Sequence, residues 1–225
     1  MNANASILAF IYLLGIALLL AFNEITYRRL HVKGEISRKF AHFLATLAVV
    51  PFPYIFTSHW YVLMLAVIFF LVLFITQRGT QLKSIHDIER KSIGSYLLPL
   101  SIYIGFLIQE FYGNKFYYIL PMLILGICDP MAALVGISLE KYNHKIKLFG
   151  IQTGKSLFGS LAFFITCLVI SLIALNYKIG VFDARTFFLS FLIAIAGTLG
   201  ELLSWRGSDN LSIPLSVILV LRIFM

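Results

Sequence analysis

Four carboxylates stand in or beside apolar stretches of this sequence, where acidic side chains are rare. They are Glu35, Asp129, Glu201 and Asp209. A carboxylate at membrane depth is expensive to bury, so such a group usually binds a cation or takes part in chemistry. Asp129, Glu201 and Asp209 offer hard oxygen ligands of the kind that Mg²⁺ prefers, and Asn210 follows the last of them. We therefore predict a Mg²⁺ site formed by these three carboxylates.

Basic side chains accompany one of these acids in the segment GEISRKFAHFLA. Glu35, Arg38, Lys39 and His42 are spaced i, i+3, i+4 and i+7, so they share one face of a helix. The alternative is an ordinary salt-bridged helix end whose basic side chains extend to the membrane surface. The histidine one turn deeper favours a polar cavity lined by this face.

A second basic segment is GIQTGKSLFGS, which contains Gly154, Lys155, Ser156 and Gly159. Its GKS triplet ends like a P-loop, but Phe149 stands where that motif requires glycine and no strand–helix unit surrounds it. The P-loop is therefore excluded. A lysine, a hydroxyl and flexible glycines can nevertheless hold phosphate. The alternative is a plain loop in which a Ser or Thr caps the next helix.

Two adjacent cations, Arg90 and Lys91, precede the apolar stretch that begins at Gly94. Cations before a membrane helix usually only set its orientation. Beside an anionic site they would also act as supporting charges.

The segment LGICDPMAAL interrupts an apolar run with Asp129 and Pro130. Asp often caps a helix and Pro is tolerated at the first helical position, so the pair predicts a break with a new helix beginning at Pro130. Ala132 and Gly136 would let a neighbouring helix or a ligand approach this second piece. Its free N–H groups and partial positive charge would bind an anion. A simple helix cap is the alternative.

Membrane helices must position these segments, because 60% of the 225 residues are hydrophobic and only 12% are charged. Soluble proteins are about half apolar and a quarter charged. An apolar block of about 20 residues crosses a bilayer. Such blocks lie near residues 5–22, 39–56, 60–76, 94–110, 116–137, 157–175, 186–203 and 211–225. We predict an all-α, polytopic membrane bundle of about seven or eight transmembrane helices, forming one domain over residues 1–225.

The distribution of basic residues predicts the orientation of this bundle. Only four of the 18 Lys and Arg residues, namely Lys115, Lys178, Arg185 and Arg222, lie outside the loops that follow the first, third, fifth and seventh spans. By the positive-inside rule those loops are cytoplasmic and the N-terminus is outside. The four carboxylates fall on the same side, so we predict a cytoplasmic active-site face. The net charge of +8 is thus a topology signal and gives no reason to expect a nucleic-acid partner.

Taken together, the motifs resemble those of the polyprenol kinase family, which includes dolichol, phytol and farnesol kinases and the CTP-dependent diacylglycerol kinase. The resemblance runs from about residue 35 to residue 220. It is carried by Glu35-x-x-Arg38-Lys39-x-x-His42, Asp129-Pro130-x-Ala132-x-x-x-Gly136, Gly154-Lys155-Ser156-x-x-Gly159-Ser160, and Glu201 with Asp209-Asn210-x-x-x-Pro214. The family implies transfer of the terminal phosphoryl group of CTP to the hydroxyl of a membrane lipid alcohol.

The chain departs from the strictest family pattern at four positions. Glu140 stands where a glycine is common, Gly154 replaces a lysine, Ser156 a threonine, and Phe158 an acid. These changes are closer to the smaller phytol-kinase-like and bacterial members. They leave open the choice of CTP over another triphosphate.

The motif residues then receive roles as expectations. Arg38, Lys39 and Lys155 would neutralise phosphate oxygens, and Asn210 would bind metal or phosphate. His42 or one of the aspartates would accept the proton of the lipid hydroxyl. The remaining expected nucleotide contacts are Pro130, Ala132, Gly136, Gly154, Ser156 and Gly159, with Glu35, Arg90 and Lys91 in support.

Two other functions fit the same residues. A phosphatidate cytidylyltransferase also uses CTP in a membrane, but it transfers the nucleotide and releases pyrophosphate. A small lipid or solute transporter is the other alternative, because broken helices and intramembrane charges also mark transporters.

Overall fold

Long apolar runs form the helices of this protein, and short polar segments connect them. The structure, a computed structural model, describes residues 3–30, 34–77, 82–86, 93–142, 144–148 and 151–225. The α-helices are, in chain order, α1 Ala3–Leu30, α2 Gly34–Val49, α3 Phe52–Ile55, α4 His59–Gln77, α5 Lys83–His86, α6 Gly94–Tyr112, α7 Phe116–Ser138, α8 Leu157–Ile179, α9 Ala184–Leu202 and α10 Asp209–Phe224. Arg90 and Lys91 lie outside the described residues.

Each of the eight predicted spans corresponds to one of the longer helices. Among the described residues, α1, α4, α7, α8 and α9 are long and apolar enough to cross a membrane. Helices α2 and α10 have 16 residues each, which gives them a length of about 24 Å. The protein is an all-α polytopic membrane bundle, as predicted. The external N-terminus stays a prediction.

Helix α7 runs unbroken through Asp129 and Pro130, so the predicted helix break is wrong. Pro130 has no N–H group, so the Gly126 carbonyl lacks the hydrogen bond that residue i+4 of a helix normally donates to it. The surrounding helices α2, α6, α8 and α10 pack on α7 and hold the turn in place. No helix begins at Pro130, and the phosphate site predicted at such a helix start is therefore not formed.

Capping residues define the starts of α8 and α9 and the ends of α6 and α8. Ser156 caps α8, where its Oγ accepts a hydrogen bond from the Gly159 N–H at 3.3 Å. Asp183 caps α9 by accepting from the Thr186 N–H at 2.8 Å. Gly113 and Gly180, with φ of 65° and 78°, end α6 and α8 in the left-handed conformation that glycine adopts readily.

A small antiparallel hairpin precedes α8 where the sequence indicated a loop. Strand β1 is Lys145–Leu148 and strand β2 is Ile151–Ser156, with Lys145 opposite Ser156 and Leu148 opposite Ile151. Gly154 lies in β2 with a φ of 71°, in the left-handed region. The hairpin delivers Lys155 to the end of the bundle, directly before α8.

Helix α7 is the centre of the core. Tyr118, Leu125 and Cys128 on this helix are fully buried, and the Tyr118 hydroxyl donates to the Val49 carbonyl of α2 at 3.0 Å. Helix α9 packs against both α8 and α10, which in turn pack on α7, while α4 packs on α6 and α1. This arrangement brings the starts of α2, α6, α8 and α10 to the same end of the bundle as the last turn of α9.

Candidate active site

A buried ion pair joins α2 to α7 at this end. The Nζ of Lys39 lies 2.5 Å from Oδ2 of Asp129, and both side chains are buried. An unpaired charge in such surroundings would cost several kcal/mol, about 3–5 when one partner is removed. His42, one turn further along α2, brings its Nε2 to 3.7 Å from the same Oδ2. That nitrogen has no hydrogen-bond partner among the described residues.

A second cluster forms around Lys155. Its Nζ lies 2.9 Å from Oε1 of Glu201, at the end of α9, and 3.0 Å from Oδ2 of Asp209, at the start of α10. The Ser160 hydroxyl donates to the other Glu201 oxygen, Oε2, at 3.1 Å. Burial alone would lower the pKa of the Lys155 ammonium, but the charges of Asp209 and Glu201 outweigh it and raise that pKa above its ordinary value. One cation therefore ties three elements together.

Arg38 forms the third charged contact of the site. Its guanidinium makes two hydrogen bonds to Glu35, with Nη2 2.7 Å from Oε1 and Nε 3.2 Å from Oε2. The arginine is buried, whereas the Glu35 side chain is more exposed. The predicted shared face of Glu35, Arg38, Lys39 and His42 is therefore confirmed as a geometry, and Lys39 and His42 on this face approach Asp129 of α7.

Asn210 ties the start of α10 to the start of α6. Its Nδ2 donates to the Gly94 carbonyl at 2.6 Å. A Cβ at Gly94 would lie 3.1 Å from the Gly207 carbonyl oxygen and 3.2 Å from the Asn210 amide nitrogen. The close approach explains why glycine stands there. Sequence reasoning assigned no role to Gly94 or to Ser160, although both lie within or beside the motifs.

The small residues of the second and third motifs bring α7 against α8. A Cβ at Gly159 would lie 2.8 Å from the Ser156 Oγ and 2.9 Å from the Ala132 carbonyl oxygen, and a Cβ at Gly136 would lie 2.9 Å from the same Oγ. The neighbour that Ala132 and Gly136 admit is thus α8. The first turn of α8, beside Lys155, supplies the helix start that Pro130 does not.

The three carboxylates proposed for Mg²⁺ do not converge on one point. Asp129 pairs with Lys39, whereas Glu201 and Asp209 share Lys155. Across the described ranges, no group of three or more His, Cys, Asp or Glu side chains is placed to hold a metal ion. Mg²⁺ usually takes only one or two carboxylates together with substrate phosphates. Glu201 and Asp209 fit that pattern as a pair, because they already converge on one cation.

A cleft opens beside these charges between α1, α2, α4 and α6. Arg38, His42 and Asn210 line its polar end. The rest of its lining is mostly apolar and includes Leu20, Ala45, Phe69, Leu73 and Leu98. The site therefore combines buried cations and carboxylates with an apolar surface that a lipid can contact.

A curated relative and a family model match this chain. An uncharacterized protein of Rickettsia prowazekii (strain Madrid E) is 36% identical over 124 residues, which cover 54% of this chain and 55% of that protein. The chain therefore aligns with about half the length of this curated relative. No solved structure matches the chain. The model of the cytidylyltransferase family matches residues 3–205, which contain every motif residue except Asp209, Asn210 and Pro214. Since this match covers most of the sequence, the chain belongs to the cytidylyltransferase family.

Proposed function

We propose that this protein is a CTP-dependent kinase that phosphorylates the hydroxyl of a membrane lipid alcohol, such as a polyprenol, phytol, farnesol or diacylglycerol. Membership of the cytidylyltransferase family supports an enzyme that uses CTP and acts on a membrane lipid. The kinase reading rests on one observation above the others. A buried histidine with an unpartnered nitrogen lies between a carboxylate and an apolar cleft.

That histidine supports a kinase because the acceptors of the two CTP reactions differ in whether they must lose a proton to the enzyme. A lipid alcohol is neutral and must lose a proton as its oxygen attacks phosphorus. A phosphatidate acceptor is already ionised and needs no base. His42 Nε2 would accept that proton, and Asp129, whose Oδ2 lies 3.7 Å away, would stabilise the charged ring.

Charge balance supports a metal–nucleotide substrate. Among the described residues, the site holds three cations (Arg38, Lys39 and Lys155) and four carboxylates (Glu35, Asp129, Glu201 and Asp209), with His42 counted neutral. The carboxylates would repel a free triphosphate, and a bound divalent cation would offset that repulsion. Glu201 and Asp209 would hold Mg²⁺, which when bound supplies neutralisation of the phosphate oxygens and polarisation of the transferred phosphoryl group.

The residues of the chain then divide the work of transfer. Lys155 would move from its two carboxylates to a phosphate oxygen, next to the first turn of α8, and Arg38 and Lys39 would contact the other oxygens. The alcohol oxygen would bond to the terminal phosphorus as the bond to the bridging oxygen breaks. CDP leaves, and the hydroxyl proton passes to His42. Asn210 would hold the start of α10 against the start of α6 through its hydrogen bond to the Gly94 carbonyl.

Phosphatidate cytidylyltransferase is the second candidate, favoured by the family description and by the buried Arg38 beside the cleft. Arg38 would suit a lipid phosphate as well as a nucleotide phosphate. In that reaction the lipid phosphate oxygen attacks the α-phosphorus and pyrophosphate leaves.

The by-product distinguishes the two reactions. Purified protein in detergent with Mg²⁺ and CTP would be given phytol, farnesol, dolichol, diacylglycerol or phosphatidate, and CDP and pyrophosphate would be quantified. The proposal predicts CDP release that depends on an alcohol. Pyrophosphate release that depends on phosphatidate would replace the kinase with the cytidylyltransferase. Parallel reactions with ATP, GTP and UTP test the choice of nucleotide.

A further inference from the structure

We propose that the tail of the lipid substrate runs from His42 past a neck formed by Ala45 and Phe69 into a second, deeper cleft. These two residues would then control how far the tail enters the bundle. The inference rests on the proposed function and adds to it a path for the tail and the side chains that select it.

The second cleft continues the first one. Its lining is apolar and includes Ile16, Val49, Leu65, Pro99 and Ile102. Ala45 and Phe69 line both clefts. They are therefore the boundary between the polar end, which contains Arg38 and His42, and the apolar interior.

Four helices place their lining residues in a consistent order along this path. On α2, Arg38, His42 and Ala45 line the first cleft, and Val49 lines the second. The distance from Arg38 to Val49 along the helix is about 16 Å, roughly half the thickness of the hydrocarbon core. Helix α4 runs antiparallel to α2, so its residue numbers fall from the first cleft to the second.

The other three helices show the same order in space from the polar end inwards. Leu73 of α4, Leu98 of α6 and Leu20 of α1 line the first cleft. Leu65, Ile102 and Ile16 of the same three helices line the second, deeper cleft. These orders place the second cleft directly below the first, and the shared lining residues Ala45 and Phe69 put the two in contact.

The polar end of the path identifies its occupant. His42 is only 7% exposed, lines the first cleft, and keeps Nε2 without a hydrogen-bond partner among the described residues. A buried polar atom of this kind calls for a ligand group that can hydrogen-bond. The deeper walls offer only apolar contacts. An amphipathic molecule with a hydroxyl at one end and a hydrocarbon chain satisfies both ends.

The steric fit of the tail in the cleft would set the preference among lipid tails, and the free energy of transferring the tail out of water would not. A tail that enters the cleft leaves a bilayer that is as apolar as the cleft itself, so little hydrophobic free energy is gained. A side chain that crowds the neck instead excludes the tail sterically, and overpacking of this kind lowers binding by about tenfold or more.

The first test uses Ala45→Leu with Ala48→Leu as its matched control, since Ala48 lies on the same helix outside both clefts. Transfer would be measured with geraniol, farnesol and geranylgeraniol, and with dihexanoyl- and dipalmitoylglycerol. We expect Ala45→Leu to lower kcat/KM for the longer member of each series by about tenfold relative to the shorter one. Phe69→Ala should favour the longer member, whereas Phe70→Ala, at an exposed neighbouring position, should not.

A second measurement does not depend on activity. Palmityl alcohol carrying a diazirine near its methyl end would be photo-crosslinked to the full-length protein in vesicles and the adducts mapped by mass spectrometry. We expect adducts at Val49, Leu65 or Ile102 that are lost in Ala45→Leu and kept in Ala48→Leu.

The two measurements separate failure of the path from failure of the proposed function. Deep adducts that depend on Ala45, with no transfer to any acceptor, would support the path and contradict the kinase. Adducts confined to the exposed faces of α1 or α8, or equal behaviour of the Ala45 and Ala48 variants, would overturn the path while leaving the kinase standing if transfer is seen.

Discussion

The Lys39 ammonium lies 2.5 Å from Asp129 Oδ2, and neither side chain reaches solvent to any extent. A carboxylate in the central helix of the bundle is thus paired with a cation from α2. The same helix places His42 Nε2 near the same carboxylate oxygen. The unusual acid in an apolar helix is explained by this pair, and not by a helix break. Asp129 thus joins α7 to Lys39 and His42 of α2, and His42 in turn lines the cleft.

Replacing the proposed base should separate catalysis from binding. In His42→Gln, we expect kcat to fall by about 10²–10⁴-fold because the alcohol loses its proton acceptor. The affinity for CTP should change little, since Arg38, Lys39 and Lys155 remain. The rate of transfer and the Kd for CTP measure the two effects. His59→Gln is the control, because His59 contacts Tyr103 away from the charged site. An equal loss in CTP affinity would make His42 a nucleotide ligand instead.

Removing the cation between Glu201 and Asp209 should destabilise the fold and expose the proposed metal pair. Lys155→Met leaves two buried carboxylates facing each other, which costs about 3–5 kcal/mol. Mg²⁺ should then raise the Tm of this variant more than that of the unaltered protein. Thermal unfolding in detergent with and without Mg²⁺ measures both effects, and Lys178→Met at the exposed end of α8 is the control. An unchanged Tm in Lys155→Met, or one that Mg²⁺ does not shift, would contradict the assignment.

The stabilising effect of Lys155 should persist to high pH. Burial opposes the charge of Lys155, but Asp209 and Glu201 raise its pKa in the folded state. A raised pKa gives stability that is fully present below the unfolded value of about 10.4 and is lost as pH rises through the folded value. The difference in unfolding free energy between the protein and Lys155→Met should therefore be constant from about pH 7 to pH 10. A difference that declines steadily across that range would show that Lys155 is not held by its carboxylates.

Two glycines should respond oppositely to the same substitution. Gly159→Ala drives a Cβ to 2.8 Å from the Ser156 Oγ and 2.9 Å from the Ala132 carbonyl, so we expect a loss of about 1–3 kcal/mol. Gly15, inside α1, has nothing within 4 Å of an added Cβ, so Gly15→Ala should be neutral or stabilising by up to about 1 kcal/mol. Denaturation of both variants in detergent measures the contrast. Equal stability would mean that α7 and α8 are not in close contact at Gly159.

Periodicity and length in the sequence were enough to predict the eight longer helices and the shared face of Glu35, Arg38, Lys39 and His42. These features follow from spacing along one helix. The partners of each charge depend on which helices pack together, so spacing could not assign Asp129 to Lys39 or Lys155 to Glu201 and Asp209. Grouping Asp129 with Glu201 and Asp209 followed from residue type and from their shared side of the membrane, neither of which fixes the distances between side chains.

The helix at Pro130 shows the limit of local rules. Asp followed by Pro is a sound start signal for a helix in water, where a broken turn can be solvated. In a helix enclosed by four others, neighbouring packing holds the turn and the signal fails. The hairpin before α8 was missed for another reason. Strand β1, Lys145–Leu148, alternates between polar and apolar residues but has only four of them, and strand β2, Ile151–Ser156, does not alternate clearly.

The most direct test of the account follows the label from CTP into lipid. Unaltered protein, Asp129→Asn and the control Glu110→Gln, an exposed residue at the far end of α6, would each be given Mg²⁺, a lipid alcohol and CTP labelled at either the γ- or the α-phosphorus. We predict γ-label in the lipid for the unaltered protein and for Glu110→Gln, a loss of at least about 100-fold in Asp129→Asn, and no α-label in any of them. Label arriving from the α-phosphorus, or near-normal γ-transfer by Asp129→Asn, would contradict the account.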